Sequence, residues 1–229
     1  MKQLITILLT LTIGFSQSLS KEEKQIGSYI DNHTNEAIDL VEKVVNINSG
    51  TLNMEGNKKV GKIFQAELDK LGFKTYWVTY PKEIKRSGHL FAEMRGGKGQ
   101  NILLIGHLDT VFEPDHPFQK YTRKGDTAYG PGVSDMKAGD VSMIYIMKAL
   151  DKIGVLHDLN LTLVFTRDEE KPGGPVSIVR KELVEAGKWA NIGLGFEGTV
   201  GMNTGTIARR GFSSWVLTTT GIQGHSSQI

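Results

Sequence analysis

The stretch Leu103-Leu104-Ile105-Gly106-His107-Leu108-Asp109-Thr110-Val111 decides how the rest of the sequence is interpreted. Its apolar first residues indicate the end of a buried strand, which places His107 at the carboxyl end and Asp109 two residues later. In an open α/β sheet, this edge commonly carries the reactive groups. A histidine followed at i+2 by a carboxylate is typical of a metal ligand with its orienting partner, but it also suits a polar turn after a strand. These residues alone leave both interpretations open.

The composition narrows the class of protein. The 229 residues include 27 Lys and Arg against 25 Asp and Glu, a net charge of +2, so we expect neither nucleic acid nor an anionic membrane as partner. The chain has no cysteine, which excludes disulfides, thiolate zinc sites and a cysteine nucleophile. Any bound metal must therefore be held by His, Asp and Glu side chains.

The first twenty residues have the three-part pattern of a secretory signal peptide. A single positive charge at Lys2 precedes the apolar run Leu4–Phe15, and the small polar residues Ser16–Ser20 follow. The apolar run of about 12 residues is short for a membrane span, which needs about 20. We predict export to the periplasm or the exterior, with cleavage after about Ser20 and no stable membrane association afterwards. An uncleaved membrane anchor is the alternative.

Helical and strand patterns alternate along most of the chain. Apolar residues at helical spacing predict helices over residues 23–48, 57–71, 133–153 and 176–186. Buried or β-rich runs predict strands at residues 73–79, 89–95, 101–105, 161–166 and 192–196. The alternation predicts an α/β fold with a mostly parallel sheet and helices on both faces.

The character of the sequence changes at about Thr204. Residues 206–209 and 213–220 are rich in β-formers with no helix between them, which predicts an antiparallel hairpin that opens a second domain. We predict a signal peptide at 1–20, a main domain at 21–204 and the beginning of another domain at 205–229. Since the last of these stops soon after its first hairpin, we expect the sequence to be a fragment of a longer protein.

A glycine-rich turn carries the next candidate residue. Asp135 lies within Gly130–Gly139, a segment with several glycines and one proline that suits a tight turn into a helix. Its carboxylate is expected at the amino-terminal end of that helix, where negative charge is favoured. An ordinary aspartate N-cap is the alternative.

Further carboxylates follow the later strands. Asp168-Glu169-Glu170 comes directly after the strand at 161–166, and Glu197 follows the strand at 192–196. Neighbouring carboxylates raise each other's pKa unless a cation lies between them. One of them can bind metal while the next accepts a proton, although a solvated acidic loop is also possible. His225 lies in a Gly/Ser turn near the end of the chain.

Together these residues predict a metal site. The candidate ligands are His107, Asp135, Glu170 and Glu197, a set without sulfur that suits zinc, cobalt or manganese. One histidine and three carboxylates exceed the needs of a single catalytic zinc. They fit a site for two metal ions with one bridging carboxylate.

In this order, the motifs resemble those of the M20 family of dinuclear zinc metallopeptidases, which includes glutamate carboxypeptidases, aminoacylases and succinyl-diaminopimelate desuccinylases. His107–Val111 is similar to the family's His-x-Asp-Thr-Val, and Gly130–Gly139 to its Gly-x-Gly-x-x-Asp-x-Lys-x-Gly. Asp168–Glu170 matches its Asp-Glu-Glu, and Glu197 its later acidic ligand. The resemblance implies a zinc-exopeptidase-like catalytic domain followed by an α+β lid and dimerisation domain.

The resemblance also implies a role for each residue. His107 and Glu197 would bind one metal ion, Glu170 the other, and Asp135 both. Asp109 would orient His107, and Glu169 would be the general base. His225 would belong to the lid domain and stabilise the oxyanion in the partner subunit of a homodimer. The implied activity is hydrolysis of an amide bond in a small peptide or N-acyl amino acid, by water activated between two zinc ions.

One expected ligand has no counterpart in the sequence. The family carries a final metal-binding histidine near its carboxyl terminus, and the remaining histidines precede or separate the motifs. We expect these to be surface residues: His33, His89, His116 and His157. The fragment is therefore expected to lack a complete second metal site and to be inactive by itself. A non-catalytic metal-binding or dimerisation module of the same fold is the alternative function.

Overall fold

The computed structural model describes residues 18–201, 204–208, 210–211 and 215–221. The helices are α1 (Lys21–Val45), α2 (Met54–Lys70), α3 (Ala138–Lys152), α4 (Val176–Val179) and α5 (Lys181–Trp189). The strands are β1 (Lys74–Trp77), β2 (Leu90–Arg95), β3 (Lys98–His107), β4 (Thr122–Lys124), β5 (Thr127–Tyr129), β6 (Leu159–Thr166) and β7 (Ile192–Gly195). The residues of the predicted signal peptide up to position 17 lie outside the described part.

Local chemistry accounts for where the first helix begins. Ser20 and Glu23 form a capping box in which the Glu23 backbone N–H donates to Ser20 Oγ at 3.1 Å. The Ser20 backbone N–H donates in return to the Glu23 carboxylate at 2.7 Å. These bonds satisfy two amide groups that a helix start otherwise leaves without partners.

The central sheet is mixed, so the prediction of a mostly parallel sheet was wrong. The strand order is β1-β2-β6-β3-β7. Strand β2 runs antiparallel to both β1 and β6, whereas β3 is parallel to β6 and β7. No crossover helix links β1 to β2, and a connection without one favours antiparallel pairing. The α/β class itself is confirmed.

Helices cover both faces of this sheet, as predicted. Helices α2 and α3 pack on one face, with α1 against α3, and the core there includes Phe64, Ile144 and Phe165. On the other face, Leu103 and Val164 form a smaller cluster with residues that include Leu183 of α5. The buried strands therefore carry apolar side chains on both faces of the sheet, which explains their nearly continuous hydrophobic runs.

The parallel strands bring the candidate residues to one edge. His107, the last residue of β3, pairs with Thr166, the last residue of β6. Ile105 pairs with Gly195, the last residue of β7. The segments that follow β6 and β7 therefore leave the sheet beside His107.

Two sequence-based expectations are corrected here. The helix predicted from residue 133 begins at Ala138, because Asp135 and Met136 have non-helical backbone angles within the preceding turn. His89, expected at the surface, is fully buried where β2 begins, and its Nε2 lies 3.0 Å from the Val179 carbonyl oxygen. His89 directly precedes β2, and the end of α4 at Val179 covers its side chain.

Within the described part of the chain, the residues up to Gly198 form one compact unit and those from Thr199 onward belong to another. The described residues 204–208 and 215–221 are not in strands, but part of the predicted hairpin is not described, so the hairpin stays a prediction. Residues 209 and 213–214 of that hairpin lie outside the described part. Within the described part of the chain, no helix is both long and apolar enough to span a membrane.

Candidate metal centre

The imidazole of His107 is the point on which the predicted ligands converge. Its Nε2 lies 2.9 Å from Asp135 Oδ1 and 3.3 Å from Glu197 Oε1. One ligand atom from each of these three residues lies within 4.8 Å of the others. The ring is buried while both carboxylates reach solvent, so the cluster is open on one side. Convergent N and O donors with an open side are characteristic of a catalytic metal site.

The glycine-rich turn before α3 directs Asp135 towards His107. Gly132 has a φ of 75°, and a Cβ at this position would lie 2.5 Å from Thr110 Cγ2. Only glycine combines that backbone angle with so close an approach. The N-cap of α3 is Lys137, and Asp135 lies two residues earlier. The alternative of an ordinary aspartate N-cap was therefore wrong.

Asp109 connects three segments of the chain behind the site. Its Oδ1 accepts the backbone N–H of Glu169, and its Oδ2 accepts that of Glu170, both at 3.1 Å. Thr51 Oγ1 donates to the same Oδ2 at 2.7 Å. Burial alone would raise the pKa of Asp109, but hydrogen bonds from His107 and Thr51 outweigh it and hold the pKa below its ordinary value.

Asp109 also lies against the ring of His107. His107 Nδ1 is 3.0 Å from the Asp109 carbonyl oxygen and 3.5 Å from Asp109 Oδ1. A proton on Nδ1 would be donated to this carbonyl, which leaves Nε2 free to bind a cation on the side of Asp135. The geometry therefore agrees with the orienting role expected for Asp109.

The two adjacent glutamates occupy different environments. Glu169 Oε2 lies 4.0 Å from His107 Nε2, and its side chain is about half exposed. Burial, with a further contribution from Asp135, raises the pKa of Glu170 to about 7, while His107 acts in the opposite direction. Asp168 is fully buried. The segment is therefore solvated at Glu169 but not at Asp168, and the alternative of a solvated acidic loop stays open for its exposed part.

The cluster creates a strongly negative field around His107. Burial by itself lowers the pKa of His107, but the hydrogen bond and charge of Asp109, with the charges of Asp140 and Glu197, raise it to about 10. Fields that hold a proton on a buried imidazole also attract a metal cation. The donor set and its excess of negative charge therefore fit a divalent metal ion.

The predicted residues differ in how far the geometry brings them together. His107, Asp135 and Glu197 form the cluster, and Glu169 lies beside it. Glu170 is tied to Asp109 through its backbone, and its carboxyl is within the electrostatic influence of Asp135. His225 lies outside the described residues, so its predicted role stays a prediction.

Sequence reasoning missed two polar residues near the site. Thr51 follows the predicted end of the first helix, and its bond to Asp109 crosses 58 positions of sequence. Asp140, in the first turn of α3, is fully buried with both carboxylate oxygens lacking a hydrogen-bond partner, and burial raises its pKa well above the ordinary value. A polar residue within an apolar helical stripe is the one local signal that marks Asp140.

A sheet whose parallel strands end in such a cluster is an α/β fold with a candidate metal site at the strand ends. Residues 103–209 match the family model described as "Peptidase family M20/M25/M40". The resemblance inferred from the motifs is thus confirmed.

Individual relatives agree with this family. The chain is 36% identical over 169 residues to carboxypeptidase G2 of Pseudomonas sp. (strain RS-16), covering 71% of this chain and 38% of that protein. It is 33% identical over 143 residues to a succinyl-diaminopimelate desuccinylase of Bordetella petrii, covering 57% of this chain and 37% of that protein. The fold is similar to that of human carnosine dipeptidase 1, with a TM-score of 0.63 at 19% identity. That match covers 75% of this chain and 40% of the dipeptidase. The chain thus spans about two fifths of the length of these relatives.

Proposed function

We propose that the protein is a metal-dependent hydrolase that cleaves an amide bond in a small peptide or an N-acyl amino acid. One observation carries this proposal: the carboxylates of Asp135 and Glu197 converge on His107 Nε2 while that of Glu169 lies 4.0 Å from the same atom. Ligands to hold a metal and a further carboxylate to move a proton are thus side by side, which is the requirement for metal-assisted hydrolysis.

Four side chains would hold the metal. His107, Asp135 and Glu197 supply the converging atoms, and Glu170 would complete the set from the segment bound to Asp109. We propose two zinc ions, because four such ligands exceed the needs of one catalytic zinc, and cobalt or manganese would also fit. When bound, the metal supplies Lewis-acid activation of water and of the substrate carbonyl.

Glu169 is suited to move the proton. Its side chain is about half exposed and lies next to the cluster, while its backbone is fixed by Asp109. Glu169 would accept a proton from the attacking water and donate it to the amine that leaves. His225, by resemblance to the family, would stabilise the oxyanion from the lid domain.

The relatives support the proposed substrate class. Their names include a carboxypeptidase, a desuccinylase of an acylated diamino acid and a dipeptidase. All three names describe cleavage of a peptide bond or of an acyl amide. A non-catalytic metal-binding or dimerisation module of this fold would need no further carboxylate beside the ligands, so the position of Glu169 favours the enzyme.

We also propose that the protein is exported and that the full-length form is a homodimer. Export is supported by the amino-terminal pattern of residues 1–20, and dimerisation by the family resemblance of the segment around His225. N-terminal sequencing of secreted protein should begin near Lys21, whereas a sequence that begins at Met1 would contradict cleavage.

The test of the proposed activity is hydrolysis by full-length protein with and without metal. Protein treated with a chelator should lose hydrolysis of dipeptides and N-acyl amino acids, and added Zn²⁺, Co²⁺ or Mn²⁺ should restore it. Full activity in the chelated, metal-free protein would contradict the proposal. Tight metal binding without hydrolysis of any member of the substrate panel would favour the non-catalytic module.

A further inference from the structure

The segment that carries Glu169 and Glu170 has no regular secondary structure of its own. We call residues 168–174, between β6 and α4, the glutamate loop. Asp109 accepts the backbone N–H groups of both glutamates. Arg86 Nε donates to the carbonyl oxygen of Lys171 at 2.9 Å. The positions of the two glutamates therefore depend on side chains that hydrogen-bond to the loop backbone, since the loop has no strand or helix hydrogen bonds of its own.

Asp168 joins the two ends of this loop. Its side chain is fully buried, and Oδ2 accepts the backbone N–H of Gly173 at 2.9 Å. This bond spans five positions and closes the loop over the two intervening glutamates. Among the described residues, the Asp168 carboxylate bonds to Gly173 and Arg180 and lies 4.0 Å from His89, none of them a member of the ligand cluster. Its influence on the site is therefore expected through the path of the backbone.

Arg180 fixes Asp168 to the helical layer. Arg180 Nη1 donates a short hydrogen bond to Asp168 Oδ1, and Nη2 donates to the Asp168 carbonyl oxygen at 3.0 Å. Arg180 lies at the junction of α4 and α5. The guanidinium therefore binds both the side chain and the main chain of one residue, a geometry that restricts rotation as well as position.

The pair is also balanced in charge. Asp168 is a buried carboxylate, and the Arg180 guanidinium is the cation in direct contact with it. Removing one partner leaves the other charge buried and unpaired, which is strongly destabilising, whereas removing both is often neutral. Comparing the single variants with the double variant therefore separates a loss of stability from a loss of the loop's position.

We propose that Asp168 and Arg180 are positioning residues that hold the glutamate loop so that Glu169 and Glu170 face His107. The proposal rests on the proposed function, in which these two glutamates serve as base and ligand. Substituting a residue that orients a metal ligand without binding the metal typically lowers activity or metal affinity by about 10- to 100-fold. The same range is expected here for kcat and for the affinity of the metal held by Glu170.

The experiment compares Asp168→Asn, Arg180→Gln and the double variant in full-length protein. Asp158→Asn is the matched control. It makes the same chemical change in an exposed ion pair, with Lys98, that lies far from the loop. Both single variants should lower kcat about 10- to 100-fold with KM nearly unchanged. The double variant should regain thermal stability relative to the single variants, but not kcat. Asp158→Asn should match wild type.

Titration with Co²⁺ alone gives a readout that does not need turnover. The single and double variants should bind the more weakly held Co²⁺ about tenfold less tightly than wild type. Recovery of both stability and wild-type kcat in the double variant, or wild-type Co²⁺ affinity in all three variants, would overturn the proposal. If wild-type protein hydrolyses none of the panel, the proposed function fails, and the Co²⁺ affinities still decide whether the pair positions the loop.

Discussion

Thr51 Oγ1 donates a hydrogen bond of 2.7 Å to Asp109 Oδ2, although 58 positions separate the two residues. The same oxygen accepts the backbone N–H of Glu170. The threonine therefore orients the carboxylate that lies between the histidine ligand and the loop of the two glutamates. The segment that connects α1 to α2 is in this way part of the site, even though it supplies no ligand.

Thr51→Val should weaken metal binding. The substitution keeps the shape of the side chain but removes the donor, and loss of such an orienting bond costs about tenfold in affinity. Competition with a chromophoric chelator would measure the change in full-length protein. Thr51→Ser keeps the hydroxyl and should stay close to wild type. Equal affinities in all three proteins would show that the bond does not matter to the site.

Metal binding should release protons. The pKa of about 10 at His107 means that the metal-free protein holds a proton there at pH 8, and a metal ion must displace it. Calorimetric titrations at pH 8 in buffers of different ionisation enthalpy should give a release of about one proton from this residue. Release should diminish as the pH rises through 10. A binding enthalpy independent of the buffer would contradict this.

Lys137→Met should destabilise the fold. The buried Lys137 Nζ donates to the carbonyl oxygens of Val44 and Ile47 where α1 ends, and burial lowers its pKa to about 8. Methionine fills similar space but leaves both carbonyls without a donor, at a cost of about 2 kcal/mol. Urea unfolding would measure the change. Lys152→Met, at an exposed position, should leave the midpoint unchanged.

Acid should destabilise the protein partly through His89. Burial lowers the pKa of His89 below 6.5 and outweighs the opposite effect of the nearby Asp168. On acidification His89 is therefore protonated in the unfolded chain before it is protonated in the folded chain. The free energy of unfolding should therefore fall as the pH drops through 6.5. Urea unfolding between pH 8 and 5 should show a smaller fall for His89→Gln, whereas the exposed His116→Gln should follow wild type. If the free energy of unfolding fell equally with pH in all three proteins, the destabilisation by acid would not come from His89.

The site was predictable where its signals are local. His107 and the loop glutamates directly follow buried strands, and Asp135 lies in a turn whose glycines are visible in the sequence. The antiparallel direction of β2 was missed although its signal is local, because the short connection between the first two strands carries no crossover helix and so favours antiparallel pairing. The burial of His89 and the partners Thr51 and Arg180 were missed, since contacts between distant segments leave no periodic pattern.

Glu169→Gln in full-length protein, with hydrolysis and metal content measured on the same sample, tests most directly whether Glu169 is the general base of a metal-dependent hydrolase. We expect hydrolysis to fall by at least about 100-fold, because glutamine cannot accept the proton of the attacking water. The metal content should stay at the wild-type value, since Glu169 is not a ligand. Hydrolysis at the wild-type rate with the metal still bound would show that Glu169 is not the general base.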